Sequence, residues 1–355
     1  MQKQIETQQN IVHISQETNI ILSSLLTEKY KDSKKIILTD DNVFELWIEH
    51  LVTSVPELSE SEIIQIPAGE DSKCIEIATQ IWETMSENKI ERGDVLINFG
   101  GGMISDLGGF IASLFKRGIH FINIPTTLLS QVDASVGGKT GVDLGQLKNQ
   151  IGVFNHAKTV LINPNYLSTL AGDELDSGYA EMLKHGLIKS EKYWNKLKDL
   201  QYSNTESLTG LIYDSIQIKN EIVKADPEEK NERKALNFGH TVGHAIEGYL
   251  LNSSNPIKHG HAIALGMIAE AYISFQLKLL NKKDWDEIHY ILTDYFEKIP
   301  LENSTFSELL ILMGNDKKNE GGKINFTLLS GIGSYKINQE VKASLIVEAL
   351  KYTFS

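Results

Sequence analysis

The sequence predicts two domains of different class, an α/β domain over residues 1–170 and an all-α domain over residues 171–355. Up to about residue 165, β-rich runs alternate with helix-like stretches, which is typical of a parallel sheet covered by helices. Glycine-rich segments directly follow two of these runs, where open α/β sheets place their ligand crevices. After about residue 170 the β-rich runs nearly vanish, and 355 residues are enough for two domains.

Five short aliphatic runs are predicted as strands of a largely parallel sheet. They are Lys35–Leu38, Ile63–Ile66, Val95–Phe99, Ile119–Ile124 and Thr159–Ile162. Five later segments have helical length and mixed apolar periodicity. They are Tyr179–Lys189, Leu208–Lys224, Gly239–Leu251, Ile263–Leu279 and Lys283–Ile299. One late apolar run, Ile324–Leu329, is predicted as a single strand within the helical domain.

Composition and charge disfavour several classes of function. The chain has 41% hydrophobic and 23% charged residues, as in ordinary globular proteins. With 47 acidic against 34 basic residues the net charge is -13, which argues against nucleic acid or an anionic membrane as a partner. The single cysteine, Cys74, cannot form an intramolecular disulfide, the polar start Met1–Gln9 has no signal-peptide pattern, and no run reaches ~18 apolar residues. We therefore expect a cytoplasmic protein that uses local positive charge to bind any anionic substrate.

A glycine-rich turn lies between the predicted strand Val95–Phe99 and a predicted helix. Gly100–Gly102 lets the backbone approach a phosphate, and the helix N-terminus adds N–H donors. This pattern indicates a dinucleotide-type site, although it is not G-x-G-x-x-G and a plain tight turn is an equal alternative. Asp106 belongs to that site or is a first-turn acid that complements the helix dipole. Asp40 and Asn42, after an earlier strand, are candidates for binding ribose hydroxyls or are ordinary turn residues.

A second glycine-rich segment, Gly137–Gly141, carries Lys139 and is followed by Lys148 and Asn149. Its Gly-Gly-Lys-Thr run suggests a P-loop, but that pattern needs glycine where Asp133 stands, so Walker-type binding is disfavoured. The remaining interpretation is an exposed glycine turn with two lysines and an amide, which suits a phosphate or a carboxylate. A solvated charged loop is the alternative.

Four histidines and one glutamate predict a metal site. They are His240, His244, His259, His261 and Glu181. The first two histidines are spaced i, i+4 and share a helical face, while the other two follow in a predicted short loop. Two histidines and a carboxylate with an open position suit catalytic zinc or a similar divalent ion. Thr241 stands where the H-E-x-x-H protease motif has glutamate, so a metalloprotease is disfavoured. Spacing does not decide which three groups ligate, and histidines of the core are the alternative.

These motifs together resemble 3-dehydroquinate synthases, within the sugar-phosphate cyclases. The resemblance runs in order along nearly the whole chain from about Thr39. It rests on Gly100-Gly101-Gly102, Asp106, Arg117-Gly118, Pro125–Leu129, Asp133–Lys139, Lys148-Asn149, Glu181–Lys184, Arg233, Leu236–His240, His244 and Asp316–Lys318. It implies a Rossmann-like NAD-binding α/β domain, an α-helical domain, an active site in the cleft between them, and a homodimer.

The resemblance also implies a role for each matching residue. Glu181, His240 and His259 are implied to ligate a divalent metal, zinc or cobalt, and His244 to lie near the substrate phosphate. The positions implied to hold NAD are Asp40, Asn42, Glu70, Lys73, Gly101, Gly102, Met103, Asp106, Thr126, Thr127, Lys139, Lys148 and Thr169. The positions implied around the substrate are Asp133, Lys139, Asn149, Lys184, Lys219, Arg233, Asn237, His244 and one of Lys317 or Lys318, with Lys318 preferred.

Two positions need separate mention. Arg117 is implied to enter the site of the neighbouring subunit. His261 departs from the family pattern, which has glutamate after His-Gly, and this leaves His261 as a rival metal ligand to His259.

The implied reaction converts 3-deoxy-D-arabino-heptulosonate 7-phosphate to 3-dehydroquinate and phosphate, a lyase step of the shikimate pathway of aromatic amino-acid biosynthesis. NAD is expected to take up and return one hydride in each turnover while the metal polarises the reacting oxygen. The substrate phosphate and carboxylate need cations, which are supplied by Arg117, Lys139, Lys184, Lys219 and Arg233.

Three alternatives to this function remain. Another cyclase, such as a 2-deoxy-scyllo-inosose synthase, would share the NAD and metal motifs but bind no carboxylate, whereas Lys219 and Arg233 favour a carboxylated substrate. A metal-dependent polyol or glycerol phosphate dehydrogenase would lack the Gly-Gly-Lys-Thr and Lys-Asn segments. A catalytically inactive NAD- or zinc-binding module is the non-enzyme alternative.

Overall fold

The computed structural model describes residues 2–145, 147–198, 205–251, 253, 255–314 and 324–354. The chain divides into two compact units. Unit 1 comprises Met1–Leu175 and Tyr202–Gln217, and unit 2 comprises Asp176–Gln201 and Ile218–Ser355. The predicted division after residue 170 stays a prediction. None of the described helices is long and apolar enough to span a membrane.

Unit 1 is organised around a seven-stranded sheet and a separate two-stranded hairpin. The strands are β1 (Lys3–Glu6), β2 (Ile11–Ile14), β3 (Lys35–Asp40), β4 (Glu62–Ile66), β5 (Val95–Gly100), β6 (His120–Pro125), β7 (Lys139–Leu144), β8 (Leu147–Phe154) and β9 (Thr159–Ile162). The sheet order is β1-β2-β9-β6-β5-β3-β4, and its pairs are parallel except β1 with β2. β5 is buried along its whole length, as expected for a parallel strand covered on both faces.

Helices pack on this sheet, as the alternating pattern predicts. They are α1 (Thr18–Lys29), α2 (Asp41–Val43), α3 (Glu49–Ser54), α4 (Ile75–Glu87) and α5 (Gly102–Leu114). An apolar core cluster joins Leu22 and Leu26 of α1 to Ile97 and Phe99 of β5. The core therefore holds the carboxyl ends of the central strands in fixed positions.

The five strands predicted in the first half of the sequence are confirmed, but four other described strands of unit 1 were missed. β1 and β2 have only four residues each, too short for a clear alternation. β7 and β8 pair antiparallel where a loop was predicted, because their glycines do not indicate a strand. Gly141 is needed there, since a Cβ at that position would lie 2.6 Å from the Ile151 carbonyl oxygen.

Unit 2 is mainly helical and confirms the predicted change of class. Its helices, two of which begin in unit 1, are α6 (Gly172–Lys189), α7 (Glu191–Leu197), α8 (Thr205–Ala225), α9 (His240–Leu250), α10 (His259–Gln276), α11 (Lys282–Tyr295), α12 (Phe306–Gly314) and α13 (Ala343–Phe354). The predicted late strand is confirmed as β10 (Asn325–Gly331), but it pairs with a second strand, β11 (Ser334–Glu340). β11 was missed because most of its side chains are polar, so unit 2 is not purely α.

Candidate metal and dinucleotide sites

The predicted cofactor residues of unit 1 lie at one edge of its sheet. Asp40 is the last residue of β3, Gly100 is the last of β5, Thr126 follows β6 and Glu70 follows β4. Because these strands are parallel, their carboxyl ends meet at the same edge. This is where open α/β sheets bind nucleotides.

The glycine-rich turn has the geometry of a phosphate site. Gly101 caps α5, which begins at Gly102, so Met103 is its second residue. A Cβ on Gly101 would lie only 3.0 Å from Cγ2 of Thr127, so a side chain there would fill the space above the turn. The buried Oγ1 of Thr126 has no hydrogen-bond partner within the part of the chain described. A dinucleotide phosphate held by the turn and by this hydroxyl fits both observations.

Asp106 forms part of a charged network instead of complementing the helix dipole from the first turn of α5. Its Oδ2 lies 2.7 Å from Nζ of Lys73, and Oε1 of Glu70 lies 3.6 Å from the same nitrogen. Burial opposes the charged lysine, but the two carboxylates outweigh it and raise the pKa of Lys73. Three residues implied to hold NAD are thus held together by charge.

Asp40 and Thr169 are both engaged in the local structure of unit 1. Oδ1 of Asp40 accepts hydrogen bonds from the backbone N–H groups of Asn42 and Val43, at 3.0 and 3.1 Å. Burial raises the pKa of Asp40, although these hydrogen bonds act in the opposite direction. Oγ1 of Thr169 accepts from Nε1 of Trp47 at 2.8 Å. Each residue therefore has a structural role beside its proposed contact with NAD.

The predicted cradle of lysines and an amide lies on the β7–β8 hairpin, directly after a segment in which Gly137 and Gly138 have positive φ values of 106° and 71°. Lys139 begins β7 and is exposed, and Lys148 and Asn149 are in β8. Asn149 has a left-handed backbone with φ 53°, and its N–H donates to Oδ1 of Asp143 at 2.6 Å. The N–H of Asp143 in turn donates to the Lys73 carbonyl at 2.8 Å. The hairpin is thus anchored to the segment that carries the cofactor candidates.

Arg117 has an unusual backbone conformation. Lys116, Arg117 and Gly118 have consecutive positive φ values of 48°, 67° and 110°. Left-handed backbone at two non-glycine residues costs about 1–3 kcal/mol each and is concentrated at functional positions. This conformation supports a functional role for the segment. Asp133 lies half-buried in the π-helical turn Ser130–Ala134 of the same unit.

Unit 2 brings Glu181 of α6 together with two histidines. Glu181 is fully buried, and its Oε1 lies 3.6 Å from Nε2 of His240 and 3.7 Å from Nε2 of His259. Two ligand atoms of a tetrahedral zinc, each about 2.0–2.2 Å from the ion, lie about 3.3–3.6 Å apart. His244 is adjacent, because the nitrogen atoms of the three histidines lie within 4.8 Å of one another. The donor set fits a divalent metal.

The tautomers of two histidines also favour Glu181, His240 and His259 as the ligands. Nδ1 of His240 lies 3.2 Å from the Phe238 carbonyl oxygen, and Nδ1 of His259 lies 3.1 Å from Oε2 of Glu247. Both partners are acceptors, so each Nδ1 carries a hydrogen, and Nε2 of each ring is the nitrogen left to ligate a metal beside Glu181. The ligand assignment remains a proposal.

The predicted loop for His259 and His261 is wrong, because α10 begins at His259. Each residue along a helix turns the side-chain direction by about 100°, so His261, two residues after His259, lies about 200° around the helix and points away from the cluster. Its Nε2 lies 2.7 Å from the Glu297 carbonyl oxygen, and its ring packs against Phe296. At His259 burial opposes a positive charge, but the Glu247 and Glu181 carboxylates outweigh it and raise the pKa to about 10. The site around His259 therefore favours a cation.

Glycines allow the backbones of α9 and α10 to pack in direct contact. A Cβ on Gly266 of α10 would lie 2.0 Å from the Gly239 carbonyl oxygen and 2.7 Å from the Gly243 nitrogen. A Cβ on Gly243 would lie 2.9 Å from the Ala262 carbonyl oxygen. This close contact sets the distance between His240 at the start of α9 and His259 at the start of α10.

A buried glutamate of α10 caps α9. Glu270 is fully buried, and its carboxylate accepts the N–H groups of Gly239 and Val242 at 2.7 and 3.1 Å. These are unsatisfied donors at a helix N-terminus, where a negative charge is also favourable. Glu270 therefore fixes the end of α9 that carries His240.

The remaining substrate candidates of unit 2 are cationic or amide groups with little exposure. Lys184 is 1% exposed and contacts Oε2 of Glu181, and Lys219 of α8 is 5% exposed. Arg233 is 2% exposed, and its Nη1 donates to the Pro227 carbonyl at 2.7 Å. Nδ2 of Asn237 donates to Oε1 of Glu229 at 2.9 Å. Lys317 and Lys318 lie outside the described residues.

Sequence reasoning missed several residues that hold these candidates in place. Asp226 accepts the backbone N–H groups of Lys230, Asn231 and Arg233, at 3.1, 2.6 and 3.1 Å. These hydrogen bonds outweigh the effect of burial and lower the pKa of Asp226. Glu247, Glu270 and Asp143 were missed in the same way. Their spacing within a helix or strand is unremarkable, so only the tertiary contacts identify them.

Comparisons with known proteins show the family of the chain. The chain matches the family described as 3-dehydroquinate synthase N-terminal over residues 63–177 and 3-dehydroquinate synthase C-terminal over residues 178–319. It is 42% identical over 341 residues to the 3-dehydroquinate synthase of Parabacteroides distasonis, covering 96% of this chain and 95% of that protein. A relative from Clostridium botulinum with the same name is 39% identical over 315 residues, covering 88% and 89%.

Solved structures share the fold. A 2-deoxy-scyllo-inosose synthase complexed with carbaglucose-6-phosphate, NAD+ and Co2+ has a TM-score of 0.87 at 24% identity, covering 99% of this chain and 100% of that one. A 2-epi-5-epi-valiolone synthase from Streptomyces hygroscopicus with NAD+ and Zn2+ bound has a TM-score of 0.81 at 24% identity, covering 90% and 91%. The predicted fold class is confirmed.

Proposed function

The chain belongs to the 3-dehydroquinate synthase family, and we propose that it converts 3-deoxy-D-arabino-heptulosonate 7-phosphate to 3-dehydroquinate and phosphate. The proposed enzyme is a carbon–oxygen lyase, and its reaction is a step of the shikimate pathway. The observation that carries this proposal beyond the family is the Glu181, His240 and His259 cluster of unit 2. The chain's single cysteine suits a reducing compartment, which supports a cytoplasmic location.

NAD and a divalent metal, with zinc preferred, are the proposed cofactors. When bound, NAD supplies reversible hydride transfer and the metal polarises the oxygen of the reacting alcohol. The turn Gly100–Gly102 and the Lys73–Asp106 network would hold NAD. Glu181, His240 and His259 would hold the metal, and imidazole with carboxylate suits zinc. Cobalt remains compatible with the same ligands.

The substrate's anionic groups match the buried cations of unit 2. Lys184 carries its ammonium beside the metal candidate Glu181, where it can orient an oxygen of the substrate or transfer a proton to it. Arg233 is held by the Asp226 turn through its backbone and by Pro227 through its guanidinium, so its remaining N–H groups are already oriented. Such preorganised donors bind a carboxylate or phosphate with little loss of side-chain entropy. These contacts support a phosphorylated sugar acid as the substrate.

Inorganic phosphate and dehydroquinate are expected to form in large molar excess over NAD, with no matching rise in NADH absorbance. The hydride must return before the product leaves, so the cofactor is not consumed. The measurement is phosphate release and absorbance at the NADH band in one reaction with the heptulosonate phosphate. Glucose 6-phosphate serves as the matched control, because it lacks the carboxylate.

Two outcomes would contradict this prediction differently. NADH that accumulates in proportion to the substrate consumed would indicate a dehydrogenase. Phosphate that is released from glucose 6-phosphate and not from the heptulosonate phosphate would keep the cyclase class and refute the proposed substrate.

A homodimer with a shared site is also proposed. The left-handed backbone of Arg117 fixes the course of the segment that leads into β6, which supports a role outside its own subunit. Mixing inactive Arg117→Ala and inactive Lys184→Ala subunits should leave one intact site of two in each heterodimer, which is about half of the wild-type activity per heterodimer and about a quarter for a statistical mixture. The measurement is activity after subunit exchange, with exchange verified by native mass spectrometry. Confirmed heterodimers without activity would refute sharing.

A further inference from the structure

Glu247 is a buried acid beside the metal candidates. It is 5% exposed and lies on α9, seven residues after His240 and three after His244, so it shares their helical face. Burying a carboxylate is costly unless a charged or donating partner faces it. Oε2 of Glu247 lies 3.1 Å from Nδ1 of His259, at the first residue of α10. The acid therefore faces a proposed metal ligand from the side opposite Glu181.

This contact determines how His259 presents its ring. An ionised carboxylate only accepts hydrogen bonds, so Nδ1 of His259 carries the hydrogen. The other nitrogen, Nε2, faces Oε1 of Glu181 at 3.7 Å and is the one left to ligate a metal beside that carboxylate. His240 is oriented in the same sense by the neutral Phe238 carbonyl. Of these two imidazoles, His259 is thus the one whose partner carries a full negative charge.

The charge of Glu247 also affects the electrostatics of the cluster. Nζ of Lys184 contacts Glu181, so part of the negative charge of that carboxylate is already offset. Glu247 adds a second buried carboxylate, which the imidazole ring of His259 separates from Glu181. A charged acceptor makes the imidazole a stronger metal ligand and fixes its tautomer.

We propose that Glu247 is a positioning residue for the metal: it holds His259 in the Nδ1–H tautomer and makes its Nε2 the ligating atom. The inference rests on the proposed function only in that a divalent metal binds at this cluster. Its test measures metal binding in the absence of substrate and NAD, so it can fail or succeed independently of turnover.

The experiment compares the zinc affinity of the full-length wild-type protein with that of Glu247→Gln and Glu247→Ala. Each protein is stripped with a chelator and titrated with Zn2+ against a chromophoric competitor. Glutamine keeps the size and an acceptor oxygen but not the charge, so we expect about 10-fold weaker binding. Alanine removes both, and we expect a loss near 100-fold. The visible absorption of Co2+-loaded protein should also change, because the spectrum reports ligand geometry.

Glu287→Gln is the matched control. Glu287 is another carboxylate of unit 2 with structural hydrogen bonds, to Nε1 of Trp194 at 2.7 Å and Nζ of Lys198 at 2.9 Å. Its neutralisation should leave zinc affinity within twofold of wild type. The melting temperatures of the metal-stripped proteins are compared as well. A structural role of Glu247 would lower the melting temperature of its variants, whereas a positioning role would leave it close to that of wild type.

Two results would overturn the proposal. One is zinc affinity within twofold of wild type in Glu247→Gln together with an unchanged Co2+ spectrum. The other is equal losses of zinc affinity in Glu247→Gln and Glu287→Gln. If Glu247→Ala does not fold, Glu247→Gln decides the question alone. A wild-type protein that binds zinc but releases no phosphate would refute the proposed function. The zinc-affinity test of Glu247 would still be valid in that case.

Discussion

Replacing Gly266 by alanine is expected to lower zinc affinity at least 10-fold and to destabilise the protein by about 3 kcal/mol or more. The added Cβ would lie 2.0 Å from the Gly239 carbonyl oxygen and 2.7 Å from the Gly243 nitrogen. Both are backbone atoms, so no side chain can rotate away, and overpacking of this kind costs typically 1–3 kcal/mol, occasionally more. α9 must move away from α10, and this separates His240 from His259.

The two effects are measured by thermal unfolding of the metal-stripped protein and by zinc competition. Metal sites tolerate deviations of only about 0.2 Å in ligand distance, so a shift of α9 by a fraction of the overlap is enough to weaken binding. An unchanged zinc affinity in Gly266→Ala would show that the metal ligands do not depend on the contact between α9 and α10.

Gly248→Ala is the matched control within α9. A Cβ at Gly248 would meet no heavy atom within 4 Å. Alanine is favoured over glycine in a helix interior by about 0.8–1.0 kcal/mol, so this variant should be as stable as wild type or slightly more so. Its zinc affinity should be unchanged. A loss of affinity in both variants would point to helix propensity or expression and not to backbone contact.

The sequence was most informative where a local pattern has only one structural interpretation. The central strands are buried on both faces, so they appear as continuous aliphatic runs such as Val95–Phe99, and the limits of β5 and β6 were predicted to within one residue. The i, i+4 histidines of α9 likewise lie on one face because helical periodicity requires it. The glycines of Gly100–Gly102 mark the turn at which β5 ends and α5 begins.

Tertiary contacts explain what the sequence did not predict. Glu270 is an ordinary helical glutamate by sequence, yet it caps α9, which begins about thirty residues earlier. The β7–β8 hairpin was assigned to a loop because its paired glycines, Gly141 and Gly152, lack side chains that would indicate a strand. His259 was also assigned to a loop, because the helix that it begins has no side-chain cap at Lys258. In each case the decisive partner is distant in sequence.

Loss of the Glu181 carboxylate is expected to have the largest effect on metal binding and turnover. In Glu181→Gln, zinc affinity should fall by more than the roughly 10- to 100-fold typical of residues that only hydrogen-bond a ligand. Glutamine is neutral and poorly suited to zinc, so the variant loses the carboxylate of the proposed ligand set and keeps only His240 and His259 of its three members. A metal contributes several kcal/mol to stabilising charge at the reacting oxygen, so turnover should fall about 10³-fold or more.

His261→Ala decides whether the ligand assignment is right. His261 donates to or accepts from no proposed ligand in its described contacts; its Nε2 lies 2.7 Å from the Glu297 carbonyl oxygen, which can only accept. Elemental analysis after gel filtration and the phosphate-release assay should therefore show wild-type metal content and rate in His261→Ala. Full occupancy and rate in Glu181→Gln or His259→Ala, with loss of both in His261→Ala, would reverse the assignment. We expect the first assignment to hold because Nε2 of His259 lies 3.7 Å from Oε1 of the buried Glu181, whereas Nε2 of His261 lies beside the Glu297 carbonyl oxygen.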